Sequence, residues 1–373
     1  MSSYIDMHDG IDYLVPEWER LARRTETSPF LWPGWISAWW RAFGAGQLQI
    51  IAAYEHGRLT GVLPLHRLYG RLGSTTNYHT PLFGFLAEDE VAVEQLSRSL
   101  FSRRPRRVDL GFLSPTDLGI SQVRNAAADA HYQVFTELRQ VAPYVDTDEP
   151  WEAYEKRLRR KFRSELRRRR RRLEEEGRLT LELSDGTHRL GEQLEEGFRI
   201  EGSGWKQARG TSINSHMATR RFYTEVAQWA SERGWLRLAF LRLDGQAIAF
   251  DFCLECNRIH YLLKTGYDPA YRQFAPGMLI RHLMLTRAFS DEISTYDFLG
   301  DSYGWKQEWT HSLQGRYFMR MFASTTLGSL DRAVFVHGRP AAKRVKRLAG
   351  SILGAYDNPF LSRGSAMERT TNR

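Results

Sequence analysis

Only two cysteines and seven lysines occur in the 373 residues of this chain. Two thiols cannot make the disulfide framework of a small secreted scaffold. They are Cys253 and Cys256, spaced C-x-x-C at a strand end with no second ligand pair. That reads as core or turn cysteine, with no metal site implied. No apolar run approaches the ~18 residues of a membrane-spanning helix. The opening MSSYIDMHDG is polar and acidic, without the pattern of a secretory signal. The expectation is a cytoplasmic protein with no transmembrane segment. No P-loop, Ser/His/Asp triad or metal-ligand cluster is legible, which removes nucleotide hydrolysis, serine hydrolase and metalloenzyme chemistry from the first rank.

What is present is apolar mass and arginine. Hydrophobic residues make up 42% and aromatics 13%, ample for buried cores, and the length suits two domains of ~100–200 residues. The net charge of +9 comes with 46 arginines, and it is uneven. Residues 1–150 are acidic, 151–177 and the stretch from 326 onward are basic, and 178–325 is close to neutral. Within 178–325 the only lysines are Lys206, Lys264 and Lys306.

The most informative stretch runs from Leu236 to Trp309. Asp244-Gly245 between two apolar runs predicts a hairpin, because the turn needs positive φ. In its second strand Ile248, Phe250, Phe252 and Leu254 alternate with Ala249, Asp251, Cys253 and Glu255, a period of two. A strand Ile259 to Tyr267 follows, then the loop Asp268 to Gly277, a helix Met278 to Phe289, a strand Thr295 to Leu299 and the loop Gly300 to Lys306. Earlier, a helix, a hairpin (Leu48–Tyr54, Leu59–Leu65), and further helices and strands fill 28–140 in a similar order. The polar cluster Asn77-Tyr78-His79 reads as a loop or as part of a cleft lining. Trp151 to Glu176 is expected as one helix closed by Gly177, about 40 Å long at 1.5 Å per residue. Trp151, Tyr154, Leu158, Phe162, Leu166 and Leu173 form its apolar stripe. Arg167 to Arg172 form its polar side, with i,i+4 pairs Arg170–Glu174, Arg171–Glu175 and Arg172–Glu176. Pro340 to Gly354 reads as a basic helix that docks on the protein, with peripheral contact to a membrane surface as the lesser alternative, and 362–373 as disordered.

Hairpin, strand, loop, helix and strand in this order resemble the core of the GNAT acyltransferases. More specifically, the phrases WISAWWRAFG, GRLTGVLPL, FRSELRRRRRRLEEEG, SGWK, AIAFDF, YDPAYRQFAPG and DFLGD-x-x-x-WK resemble the CelD/BcsL-type branch, relatives of the Fem-type aminoacyltransferases, over roughly residues 28–310. The resemblance implies an α/β (α+β) fold of two GNAT-like halves, each a mixed, mainly antiparallel sheet flanked by helices, joined by the Arg-rich helix. The expected domains are 1–150 (a degenerate half), 151–177 (connecting helix), 178–325 (acyltransferase half) and 326–373 (basic tail).

It further implies acyl-CoA as co-substrate and no metal. Arg272, Gln273, Ala275, Gly277 and Met278 fall on the pyrophosphate turn, with Ala275 where the family has Gly. The acceptor would be an amine on a sugar, polysaccharide precursor or small metabolite in a bacterial setting. Alternatives are an aminoacyl-tRNA donor tracked by the Arg helix, or a non-catalytic accessory in polysaccharide assembly. Asp251, Asp297, Asp301, Glu201 and His216 are the carboxylates and imidazole able to take a proton from the amine. Lys306, with Tyr303 as acid, completes the expected catalytic set, and Trp205, Lys206, Lys264 and Asp301 the acceptor-binding set. Asp251, Asp297 and Lys306 are expected to converge on one cleft beside Gly277.

Overall fold

A computed structural model describes residues 3–338 apart from 116, 118 and 205–209. Trp205 and Lys206, the 340–354 helix and the 362–373 tail therefore lie outside the described residues. In chain order the elements begin with β1 (Tyr4–His8), α1 (Val15–Arg24), α2 (Pro33–Phe43), β2 (Gln47–Glu55), β3 (Arg58–Leu68), β4 (Arg71–Ser74) and β5 (Leu86–Ala87). Next come α3 (Glu90–Ser99), β6 (Arg107–Leu113), α4 (Gly119–Asp129), β7 (Tyr132–Asp146), α5 (Trp151–Arg157) and α6 (Arg160–Glu176). The second half holds β8 (Leu179–Ser184), α7 (Leu190–Gly202), α8 (Met217–Ser231), β9 (Leu236–Leu243), β10 (Gln246–Cys256) and β11 (Ile259–Tyr267). It continues with α9 (Pro276–Ser290), β12 (Thr295–Asp297), β13 (Leu313–Ala323) and α10 (Thr326–Ala333).

The strands line up as β1-β2-β3-β4-β6-β13-β7-β12-β11-β10-β9-β8, with β5 on β3, so one mixed sheet runs through both halves. Its centre is an exchange. β13, late in the chain, inserts between β6 and β7 of the N-terminal half. The long β7 in turn gives its last three residues, Tyr144 to Asp146, to β12 of the C-terminal half. Strand membership thus crosses the boundary expected at residue 150.

The connecting helix is broken, which corrects the expectation of a single rod from Trp151 to Glu176. Leu158 and Arg159 are extended (ψ 145° and 130°) and separate α5 from α6. Trp309 packs against both sides of the break. Tyr154 Oη donates to its carbonyl at 2.9 Å from one side of the break. Phe162 meets its ring edge-on at 4.9 Å from the other. Both flanks of the break are held on this one residue, and such tertiary packing can outweigh the modest intrinsic helix preference. Of the expected intrahelical pairs, Arg170–Glu174 (2.8 Å) and Arg171–Glu175 (3.8 Å) form. Arg172 instead lays its guanidinium over the Phe274 ring at 5.6 Å.

The sheet separates two layers. On one side α7 and α8 pack on Phe240, Phe250 and Phe252, and α2 of the N-terminal half joins them through an aromatic seam of Trp35, Phe43 and Phe222. On the other side α9 and α6 cover Ala249, Cys253, Leu262 and Tyr296. Close approach of α7 depends on two glycines. A Cβ at Gly197 would meet the Phe250 ring at 2.4 Å, and one at Gly266 the backbone of Glu201 at 2.4 Å. Both cysteines are buried free thiols whose pKa burial pushes up.

Candidate active site

β11 and β12 are parallel and pair only over Ile259–Thr295, His260–Tyr296 and Tyr261–Asp297. From Leu262 to Tyr267, β11 keeps β10 as its neighbour while β12 turns away, so the sheet opens into a V whose vertex is the Tyr261–Asp297 rung. The same strand carries a bulge at the opening: Cys253 pairs with Leu262 and Phe252 with Lys264, leaving Leu263 as the extra residue. A bulge re-aims backbone groups out of the ladder, here beside the vertex.

α9 starts at the mouth of this V. Ala275 occupies the N-cap position in the left-handed region (φ 51°, ψ 56°) and gives no side-chain cap. An L-residue there costs roughly 1–2 kcal/mol, and glycine would remove that cost. Pro276 has no N–H, while the amides of Met278 and Leu279 bond back to the Ala275 carbonyl at 2.8 and 3.2 Å. Gly277 N–H is left as a first-turn donor with no partner among the described residues. Arg272 and Gln273 are exposed beside it. A helix N-terminus with a spare amide carries the positive dipole that suits an anion. The matching helix of the N-terminal half differs: Asp89 caps α3 by accepting from Ala92 N at 2.8 Å, and Glu90 follows. Its strand gap between β4 and β6 is also filled, by Phe83 paired with Leu113. Of these two helices, the one in the C-terminal half is the one whose first turn has no side-chain cap.

The acidic candidates divide by strand alternation. Tyr296 points toward α9, so its neighbour Asp297 points to the opposite face. Asp297 is buried; Oδ1 accepts Leu299 N and Oδ2 accepts Gln314 Nε2, both at 2.8 Å, with Arg316 at 3.6 Å. Burial pushes its pKa up, against the opposing pull of Arg316, the Leu299 amide, Lys306 and Gln314. Asp251 lies on the α9 face, fully buried, its Oδ1 2.8 Å from Arg281 Nη2. Arg281 also donates to Tyr296 Oη and Thr265 Oγ1. Asp251 thus does not face the opening or share it with Asp297. This corrects the expected convergence: both faces of β10 are covered by helices, and the face opposite the phenylalanines is the one under α9.

Lys306 is buried and donates its Nζ to the Leu299 carbonyl, which closes the 299–306 loop. It keeps company with Asp297, since its charge pulls down the carboxyls of both Asp297 and Asp301. Asp301 and Tyr303 are exposed on that loop, and burial followed by the Asp301 charge raises the Tyr303 phenol. The face of the V away from α9 also carries residues from distant segments. Lys264 holds its ammonium 5.4 Å from the Tyr223 ring centre. Tyr223 Oη lies 3.4 Å from His79 Nδ1, and His79 stacks on Phe43. Burial, with the Lys264 and His216 charges, drives His79 down to about 3, so it is neutral. Glu201, buried, accepts Ile213 N at 2.9 Å on the same side. His79 was one of a polar trio in the sequence; nothing local marks it as the N-terminal half's contribution to this wall.

A split parallel pair beside a helix with an open N-terminus defines the GNAT acyltransferase fold. Residues 160–307 match the family model described as acetyltransferase (GNAT) domain. Among solved structures the chain is similar to FemX (12% identity, TM-score 0.58, covering 86% of this chain and 97% of that one). It is also similar to the C-terminal domain of a protein assigned as lysylphosphatidylglycerol synthetase from Agrobacterium fabrum (12%, 0.56, 87% and 97%). A third is L-PGS from Bacillus licheniformis (11%, 0.50, 78% and 91%). At such identities these likenesses establish fold. No curated protein matches the chain in sequence. Among the described residues no helix is long and apolar enough to cross a membrane.

Proposed function

We propose that this chain is an N-acyltransferase that moves an acyl group from acyl-CoA to an amine of a sugar, polysaccharide precursor or small metabolite. The observation that carries the reading is Asp297: a buried carboxylate with a raised pKa at the last rung before β11 and β12 part. In this reading the pyrophosphate rests on the Arg272–Met278 turn and the thioester lies along the V. Backbone amides at the Leu263 bulge polarise its carbonyl. The amine nitrogen attacks the carbonyl carbon, and its proton passes to Asp297. The C–S bond breaks, and Tyr303 protonates the thiolate. Lys264, with Asp301 near the loop, orients the acceptor, while Lys306 holds the loop that carries Tyr303.

Asp297→Asn is expected to lower kcat by roughly 10²–10⁴-fold while acyl-CoA still binds by calorimetry. In the parent enzyme, activity should be lost as pH falls through the raised Asp297 pKa, because protonation removes the base. A pH profile without that acid limb, or full turnover by the Asn variant, would exclude Asp297 as the base.

One observation favours a second reading, an aminoacyl-tRNA donor. α6 packs on the 269–274 turn through Arg172 and Phe274, and its arginines extend for about 18 Å from it, back to Arg160, at 1.5 Å per residue. Changing Arg167, Arg168, Arg171 and Arg172 to Gln is expected to flatten the salt dependence of tRNA binding, since each neutralised phosphate releases counterions. No change in that slope, measured by filter binding, leaves acyl-CoA as the donor.

A further inference from the structure

Arginine is buried at three places among the described residues: Arg281, Arg316 and Arg320. Two of them have a carboxylate within hydrogen-bond distance, Asp251 at 2.8 Å from Arg281 and Glu137 at 3.2 Å from Arg320. Arg316 does not. Its nearest carboxylate oxygen is Asp297 Oδ2 at 3.6 Å, beyond a hydrogen bond, and Gln314 already donates to that oxygen at 2.8 Å. Nη1 of Arg316 donates to the carbonyl of the preceding residue, Gly315, at 3.1 Å, and Nε has no acceptor. A guanidinium carries five N–H donors in a planar fork, so this one is desolvated with most of its fork unused. Burial pulls its pKa down, against the charges of Asp297 and Tyr261. A buried charge held this way is costly until an anion joins it.

Its position says which anion. β13 lies two strands from β12, with β7 between them, about 9–10 Å away at the usual strand spacing. Gln314 and Arg316 are two residues apart on β13 and share a face, the face on which Gln314 reaches Asp297. Arg316 spans β7 in the same direction, to the rung where β11 and β12 part. Asp297 keeps acceptor capacity there. Its two oxygens take one hydrogen bond each from Leu299 N and Gln314, out of about four lone-pair sites. Lys306 is engaged by the Leu299 carbonyl. The vertex of the V thus holds a carboxylate with room to accept and, 3.6 Å away, a guanidinium with N–H groups to give.

We propose that the acceptor is an α-amino acid, its amine on Asp297 and its carboxylate in the fork of Arg316. In such a molecule both groups are bonded to one carbon, so they stand as close together as the two charges of the protein require. Arginine meets a carboxylate through two parallel N–H···O bonds, which gives Arg316 the partner that the fold leaves out. An amino sugar brings only hydroxyls beside its amine and would leave the guanidinium uncompensated. This narrows the acceptor, and it rests on the acyl-transfer reading for the role of Asp297. The amine nitrogen bonds to the acyl carbon and the C–S bond breaks. The amine proton passes to Asp297, Tyr303 protonates the thiolate, and the products are an N-acyl amino acid and free CoA.

Calorimetry on the full chain without acyl-CoA tests the site apart from the chemistry. The ligands are the common amino acids, each as free acid and as α-carboxamide, together with O-phosphoethanolamine. At least one acid is expected to bind the parent about thirtyfold or more tighter than its amide, as when one side of a buried charge pair is removed. Arg316→Gln should abolish the difference, and Arg316→Lys, which keeps the charge, should retain a preference for the acid. An arginine with a purely structural role would lower Tm when replaced and leave the acid-to-amide ratio unchanged. The proposal is overturned if the parent binds no acid, binds acid and amide alike, or keeps its preference in Arg316→Gln. Tighter binding of O-phosphoethanolamine than of every amino acid would also overturn it. Thiol release from acetyl-CoA with the best-bound acid reports on the transfer reading by itself. Selective binding without thiol release would leave the amino-acid site standing and remove transfer from acetyl-CoA.

Discussion

Gly277→Asp is expected to destroy acyl-CoA binding while the fold survives. The new carboxylate would stand in the first turn of α9, where the reading above puts the pyrophosphate. Two like charges about 4 Å apart cost about 4 kcal/mol at an effective dielectric constant of 20, roughly a thousandfold in Kd. The fold should tolerate the change for the reason that binding does not: an acidic side chain at a helix N-terminus is locally favourable. Its Cβ would lie 3.3 Å from Tyr267 Cδ1, which an exposed ring can relieve by a small shift. Calorimetry with acetyl-CoA decides the matter, and unchanged affinity would remove the Arg272–Met278 turn from the site.

The second large effect belongs to Arg281. It is fully buried and spans the V from behind: Asp251 and Thr265 lie on one arm, Tyr296 on the other, and the rings of Phe298 and Trp305 sit at 6.0 and 5.8 Å. Arg281→Met should cost about 3–5 kcal/mol in urea denaturation, because Asp251 is left as an uncompensated buried charge. Adding Asp251→Leu should recover most of the loss, since an apolar pair of similar volume often matches a buried ion pair. A double variant as unstable as the single one would mean that the arginine acts through its ring contacts, with the ion pair secondary.

Much of the second half is legible in the sequence because its elements carry local signals. Asp244 and Gly245 do adopt positive φ (47° and 83°), and β10 and β11 fall where alternation puts them. The helix after the loop begins at Pro276, two residues before its first periodic apolar position. Alternation also separates Asp251 from the phenylalanine row. It cannot say which face opens, since a strand buried on both sides reads the same either way. The break at Leu158 and Arg159 is invisible for a related reason: Trp309, which packs on both its flanks, lies about 150 residues further along, a long-range contact that leaves no local period. The partnership of His79 with Tyr223 and Lys264 is hidden likewise.

The exchanged strands bear on how the chain can be made. Tyr317 pairs with Leu113 roughly 200 residues earlier, and closing a loop of that length must precede the reward of the contact. During synthesis β6 and β7 leave the ribosome long before β13 exists to lie between them. Until then each offers an unpaired edge to any other strand nearby. The N-terminal half therefore cannot finish its sheet until the last strand of the other half has been made, so the half made first is completed last.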